Sequence, residues 1–241
     1  MKARGGKPAY GASVGILMLD TRFPRVPGDL GNAATWPFPV HYKVVRNATP
    51  DLAVRGDSKE ILPRIIDAAR DLADLGVDGI TTSCGFFSLF QDEISRSVNV
   101  PVASSSLMQV ALVNATLPPG KKSGILTISG STLTPAHLAA ANVPADTPIG
   151  TTEDGREFTR AILENETKLD VDAACEDNVE AALALQRRHP DIGALVLECA
   201  NMAPYAAFIR AATGLSVYSI YSFVTWFQSG LSPRVFARHS I

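Results

Sequence analysis

The sequence predicts an α/β fold made of two similar lobes, each a mostly parallel sheet flanked by helices, that face each other across a cleft. Three observations support this fold. Helix and strand patterns alternate along the chain, the pattern of the first half returns in the second, and in each half a cysteine follows a buried strand. With 241 residues, 46% of them hydrophobic, the chain can bury a sizeable core.

The first half contains the clearest helix, from Asp57 to Leu75. Asp57 is a capping residue with Glu60 three positions later, and Gly76 ends the helix. Between them, apolar residues recur at helical spacing: Leu62, Ile65, Ile66, Ala69 and Leu72. A buried strand over 77–83 is predicted to follow, and the segment GILMLD predicts an earlier strand from Gly15.

The second half repeats this arrangement. A helix stops at His189-Pro190, a strand over 192–198 follows, and GILTIS from position 124 matches GILMLD. Laid over each other without a gap, the two halves place Cys84 on Cys199. We interpret the repeat as an internal duplication with pseudo-twofold symmetry, in which lobe 1 covers 1–107 plus 222–241 and lobe 2 covers 108–221.

Charge and composition narrow the class of partner. Basic and acidic residues nearly balance, 22 against 24, so neither nucleic acid nor a membrane is expected as a partner. A small molecule is expected instead, and the chain is expected to form a homo-oligomer. The apolar run from Val14 to Leu19 is too short for a secretory signal and ends at Asp20, which predicts a cytoplasmic protein with reduced thiols. The histidines show no metal-binding spacing.

The paired cysteines are the candidate reactive groups. Each ends a strand just before a helix, at the sheet edge where ligands bind in parallel sheets. Free N–H groups there, from Gly85 to Phe87 and from Ala200 to Met202, would face an anion, and the helix dipole would lower each thiol pKa. The repeat predicts that both sulfurs face one pocket. The alternative is that both are small buried hydrophobic residues, as Cys175, which has no repeat partner, is predicted to be.

A resemblance to a known family adds to this interpretation. The segments ITTSCGF and LVLECANM, preceded by DTRFPR, resemble the aspartate/glutamate racemase superfamily, whose relatives include hydantoin racemases, maleate isomerases and arylmalonate decarboxylases. The resemblance covers essentially the whole chain. It implies an active site between the lobes and proton transfer next to a carboxylate without a cofactor or metal.

The resemblance also implies roles for individual residues. Cys84 and Cys199 would act as the base and the acid, exchanging roles with the enantiomer consumed. The residues after each cysteine would hold the substrate carboxylate: Gly85, Phe86, Ala200 and Asn201. Other substrate-contact segments match Asp20, Ser131 and Thr132.

Together these features predict a racemase or epimerase of an amino acid or related carboxylate. Glutamate racemases generally carry Asn-Thr and Thr-His after their cysteines, so glutamate is not indicated as the substrate. Two alternatives remain, a maleate-type cis-trans isomerase with a nucleophilic cysteine and a non-catalytic two-lobed binding protein. Alternation along the strand predicts that Glu198 points away from Cys199.

A long loop rich in Gly, Pro and aromatic residues, DTRFPRVPGDLGNAATWPFPV, follows the first strand. One hypothesis is that Arg22 and Arg25 clamp a second carboxylate and that Trp36 and Phe38 close a lid over the cleft. The alternative is a proline-stiffened surface loop with solvated arginines. Because long ordered loops are often functional, Arg22 is retained as a candidate substrate-binding residue.

Overall fold

The computed structural model describes residues 5–236. The strands are Val14–Leu19 (β1), Val40–Val45 (β2), Gly79–Thr82 (β3), Val102–Ala103 (β4), Lys122–Thr127 (β5), Ile149–Thr151 (β6), Ile192–Leu197 (β7) and Ser216–Tyr218 (β8). The α-helices are Pro50–Val54 (α1), Leu62–Leu75 (α2), Gln91–Ser97 (α3), Val110–Thr116 (α4), Pro135–Ala140 (α5), Phe158–Leu163 (α6), Val171–Arg188 (α7), Ala206–Thr213 (α8) and Ile220–Leu231 (α9). Short 3-10 helices also occur, and two of them, Gly85–Phe90 and Ala200–Tyr205, follow the paired cysteines.

The strands form two four-stranded parallel sheets of the same design. Their orders are β2-β1-β3-β4 and β6-β5-β7-β8, and every strand pair in them is parallel. Helices flank both sheets, so the predicted two-lobed α/β fold is confirmed. Cys84 follows β3 and Cys199 follows β7, which occupy equivalent positions in the two sheets.

The predicted elements form for the expected local reasons. The Asp57 side chain accepts a hydrogen bond from the Lys59 N–H and starts a 3-10 turn that leads into α2. Gly76 ends α2 in the left-handed conformation, with φ of 100°. In the second lobe, the Asp170 side chain caps α7 by accepting from the Ala173 N–H. The predicted strands are present, shorter by one to three residues than the patterns suggested.

The loop between β1 and β2 does not form a lid. Trp36 is buried, its Nε1 donates to the Leu30 carbonyl at 3.1 Å, and its ring stacks on Phe38 and on Tyr221 of α9 with centroids 5.6 and 5.7 Å apart. The lid hypothesis is therefore wrong, because Trp36 and Phe38 pack toward α9 and do not line the space beside the cysteines.

Direct hydrogen bonds join the two lobes. Ser106 Oγ donates to the carbonyls of Leu197 and Glu198, at 2.5 and 3.0 Å. On the other side of the cleft, Ser88 Oγ donates to the His137 carbonyl at 3.0 Å. These bonds hold the ends of β3 and β7 opposite each other. The predicted lobe boundaries stay a prediction.

Four other predictions concern a membrane, a metal ion, the cellular compartment and the oligomeric state. No helix within residues 5–236 has the length and apolar character needed to cross a membrane. In the same range, no group of three or more His, Cys, Asp or Glu side chains is arranged to hold a metal ion. Cytoplasmic localisation and assembly into a homo-oligomer stay predictions.

Candidate active site

Cys84 and Cys199 face the same pocket in the crevice between the lobes, as the repeat predicts. Each is the cap residue of its 3-10 helix, and both are buried. The pocket is narrow. Apolar side chains from both lobes surround a few polar groups in its lining: Leu19, Phe23, Arg25, Pro50, Val54, Ser83, Cys84, Gly85, Phe86, Ile128, Ile162, Leu163, Glu198, Cys199 and Asn201.

The structure brings together part of the predicted site. Gly85, Phe86 and Asn201 line the pocket with the cysteines. Ala200 is buried and packs in the apolar cluster around β1 instead. The Phe87 and Met202 N–H groups, predicted to be free, already donate to the carbonyls of Cys84 and Cys199.

The remaining predicted contacts lie outside the pocket. The Asp20 carboxylate accepts from the Asn47 N–H at 2.9 Å, and the Arg22 N–H donates to Asn165 Oδ1 at 2.6 Å on the surface. Ser131 donates to the Glu153 carboxylate, and Thr132 Oγ1 donates to Ser129 Oγ at 2.8 Å. The donors of Ser131 and Thr132 are thus already bound to Glu153 and Ser129.

Burial makes both thiols weak acids. Desolvation raises the pKa of Cys84, the Glu198 carboxyl raises it further, and the N–H groups of Phe86 and Phe87 oppose both effects. The pKa of Cys199 is raised by the same two causes in the same order. The predicted lowering of these pKa values is wrong, because two short 3-10 helices do not offset burial beside another acid.

Glu198 is the unexpected member of the site. Its side chain is buried and lines the pocket, with Oε2 accepting from Thr127 Oγ1 at 2.8 Å. Gly85 leaves room for it, since a Cβ at that position would collide with the carboxyl. The prediction that Glu198 points away from Cys199 is wrong. Since β7 ends at Leu197, strict alternation stops there, and both following side chains face the pocket.

The carboxyl of Glu198 is easily protonated. Burial raises its pKa from 4.5 to about 7, even though the Thr127 hydroxyl and the Ile128 N–H both lower it. Of the three pocket acids, Glu198 therefore has the lowest pKa, below those of Cys84 and Cys199.

Arg25 brings a positive charge to this pocket. Its Nη1 contacts Asp29 Oδ1 and its Nη2 donates to Thr21 Oγ1, both at 2.9 Å, and the guanidinium lies 4.4 Å from the centroid of the Phe23 ring. Its Nε is buried and finds no hydrogen-bond partner among residues 5–236. Of the two arginines considered for a carboxylate clamp, Arg25 lines the pocket and Arg22 does not.

Asp29 makes the two cysteines unequal. This buried carboxylate accepts from Asn201 Nδ2 at 2.7 Å, which fixes the orientation of the amide. Asn201 Oδ1 then accepts from the Cys199 thiol, with 3.6 Å between oxygen and sulfur. In the part of the chain that is described, the Cys84 sulfur has no such side-chain acceptor. Cys199 is thus held as a protonated thiol.

Sequence reasoning missed the apolar wall of the pocket. Phe23, Val54, Ile162 and Leu163 line it, but their positions in the sequence are those of ordinary core residues. His137 is also buried, with its ring 5.1 Å from that of Phe86. No local signal distinguishes these side chains, because the meeting of two lobes creates the pocket.

Comparisons with known proteins identify the relatives of the chain. No protein-family model matches it. A dimethylsulfoniopropionate lyase of Durusdinium sp. clade D is 31% identical over 233 residues, which cover 92% of this chain and 77% of that protein. Dimethylsulfoniopropionate lyase 7 of Emiliania huxleyi (strain CCMP1516) is 30% identical over 235 residues, which cover 92% of this chain and 68% of that protein.

Solved structures share the fold at low sequence identity. A glutamate racemase from Bacillus anthracis has a TM-score of 0.62 at 15% identity and covers 91% of this chain and 82% of its own. A mutant of arylmalonate decarboxylase has a TM-score of 0.60 at 13% identity, and the match covers 94% of this chain and 96% of that protein. The predicted resemblance to the aspartate/glutamate racemase superfamily is thereby confirmed for the fold.

These findings correct the predicted activity. The chain is an enzyme, as predicted, and the alternative of a non-catalytic two-lobed binding protein is wrong. The prediction of a racemase in amino acid metabolism is wrong, because relatives at 30 and 31% identity are lyases, whereas the glutamate racemase shares the fold at 15%. The alternative prediction of a maleate-type cis-trans isomerase is wrong for the same reason. By similarity over nine-tenths of its length, the chain belongs to the dimethylsulfoniopropionate lyase family.

Proposed function

We propose that this enzyme eliminates dimethyl sulfide from dimethylsulfoniopropionate and leaves acrylate. The substrate has a carboxylate at one end and a dimethylsulfonium group on the carbon β to it. When a base removes a proton from the α-carbon, the electron pair left behind forms the C=C bond and the C–S bond breaks. Dimethyl sulfide leaves as a neutral molecule, and the abstracted proton returns to water.

One observation carries the proposal. Cys84, the cationic side chain of Arg25 and an apolar wall line a single pocket. The guanidinium of Arg25, which lines the pocket, suits a carboxylate oxygen of the substrate. Val54, Ile162 and Leu163 suit the two S-methyl groups. A hydrogen bond to the carboxylate also stabilises the charge that spreads onto its oxygens when the α-proton leaves.

Cys84 is the proposed base. Against burial, which raises it, the Phe86 N–H lowers the pKa of the Cys84 thiol, whereas the Cys199 thiol donates its proton to Asn201 Oδ1. One base is enough, because elimination never returns a proton to carbon, as racemisation must. The first step, removal of a proton next to a carboxylate, is common to both reactions, so the same fold serves either one.

The products test the proposal. The purified chain is incubated with dimethylsulfoniopropionate in D₂O and followed by proton NMR, with headspace gas chromatography for dimethyl sulfide. We expect acrylate and dimethyl sulfide in equal amounts. A control with each common L-amino acid is expected to show no inversion. The absence of both products from the wild-type enzyme would overturn the proposal.

A further inference from the structure

Glu198 is a buried carboxyl group without a cationic partner. Among the residues that the structure describes, no Lys or Arg forms an ion pair with it. Its one side-chain hydrogen bond comes from Thr127 Oγ1, at 2.8 Å. Burial of an unpaired ionised carboxylate is unfavourable in free energy. The Glu198 carboxyl therefore destabilises the fold least when it is protonated or when a cation lies beside it.

Apart from the Ile128 N–H, the groups of residues 5–236 that surround the Glu198 carboxyl are hydroxyl, thiol and an already paired guanidinium. From the end of β3 it faces Cys84, next to it along the chain lies Cys199, and β5 contributes Thr127. The loop after β1 contributes Arg25, whose guanidinium is already bound to Asp29 and Thr21. The acids in the pocket therefore outnumber its one cation among the lining residues.

We propose that Glu198 is the counter-charge for the sulfonium group of the substrate and makes the pocket selective for propionates with a cationic group on the β-carbon. This inference rests on the proposed lyase function. The carboxylate end of the substrate binds Arg25, the onium end lies beside Glu198, and the α-carbon lies between them, next to Cys84. Phe86 also lines the pocket, and aromatic rings favour onium groups.

The proton balance of the pocket agrees with this role. Burial raises the pKa of the Glu198 carboxyl to about 7, so at pH 7 about half of the molecules carry a proton there, and binding of the cation drives that proton into solution. During elimination the Cys84 thiol passes its proton to the Glu198 carboxylate, and the thiolate takes the α-proton in its place. The sulfonium becomes neutral dimethyl sulfide as the C–S bond breaks, and the proton on Glu198 then returns to water. Glu198 and Cys84 thus never carry a negative charge at the same time.

Two unreactive ligands of the same shape test the inference. 3-(Trimethylammonio)propionate carries a cation, and 4,4-dimethylpentanoate is its neutral isostere. By isothermal titration calorimetry, we expect the wild type to bind the cation roughly tenfold or more tightly than the isostere. Glu198→Gln should bring the two affinities within about twofold. The matched control is Glu153→Gln, because that carboxylate also sits among hydroxyl donors but outside the pocket, and it should keep the wild-type preference.

A wild-type measurement keeps the test decisive if Glu198→Gln does not fold. Titrations in buffers of different ionisation enthalpy count the protons released on binding. At pH 7 the cation should release about half a proton and the isostere none. No release, or a Gln variant that keeps the preference, would overturn the inference. Elimination of dimethyl sulfide by the wild type is assayed in parallel, so failure of the lyase proposal is seen separately from failure of the role of Glu198.

Discussion

Replacing Glu198 with glutamine is expected to stabilise the protein at pH 8 and to leave its stability unchanged at pH 4. The pKa of Glu198 is about 7 in the folded protein against 4.5 for the free side chain. Between these two values the unfolded chain has lost a proton that the folded chain keeps, so stability falls as pH rises through this window. At 1.36 kcal/mol per unit, the cost reaches about 3 kcal/mol above pH 7. Glutamine, which resembles the protonated acid, removes this cost.

Urea denaturation at pH 4, 6 and 8, followed by circular dichroism, measures this difference. The control Glu153→Gln should behave in the opposite way. Burial alone would raise the pKa of Glu153, but hydrogen bonds from Ser131, Ser129 and Thr151 lower it, so its charge stabilises the fold and glutamine should destabilise the protein at pH 8. Equal stability of wild type and Glu198→Gln at pH 8, or a gap that persists at pH 4, would refute the reasoning.

Four further predictions concern the same pocket. The kcat/KM for elimination should rise as pH passes about 7, because cation binding needs the Glu198 carboxylate, and a pH profile of Glu198→Gln with the same inflection would contradict this. Gly85→Ala should abolish elimination and lower stability by about 1–3 kcal/mol in thermal unfolding, since its Cβ collides with Glu198; full activity would count against this. Asp29→Asn should raise KM more than it lowers kcat in steady-state kinetics, because Arg25 loses the negative charge of its ion-pair partner, whereas an unchanged KM would speak against the carboxylate site. Cys199→Ser should retain more dimethyl sulfide release than Cys84→Ser, and the reverse order would exchange their roles.

Much of the scaffold follows from local sequence patterns. Hydrophobic spacing and capping residues predict α2 with its stop at Gly76, and the repeat predicts that Cys84 and Cys199 end equivalent strands. These features are predictable because each depends on residues close together in the chain or on comparison of the two halves.

The chemistry of the pocket could not be predicted in the same way. Glu198 faces the cysteines because β7 ends one residue before it and Thr127 of the neighbouring strand binds it. Arg25 enters the pocket, and Arg22 does not, because a buried Asp29 anchors the former. Both depend on contacts between distant segments. The pKa values of the two thiols depend on these contacts. The sequence pattern of a cysteine between a strand and a helix predicts a lowered thiol pKa, whereas burial beside Glu198 raises it.

The most direct test of the account is the rate of dimethyl sulfide release from dimethylsulfoniopropionate by three purified proteins. These are the wild type, Cys84→Ser and Cys175→Ser, whose replaced thiol lies outside the pocket. If Cys84 is the base of an eliminating enzyme, the wild type and Cys175→Ser release the gas at similar rates, and Cys84→Ser falls at least a hundredfold, in the range typical of a lost general base. Release by Cys84→Ser at the wild-type rate, or none by the wild type, would contradict the account.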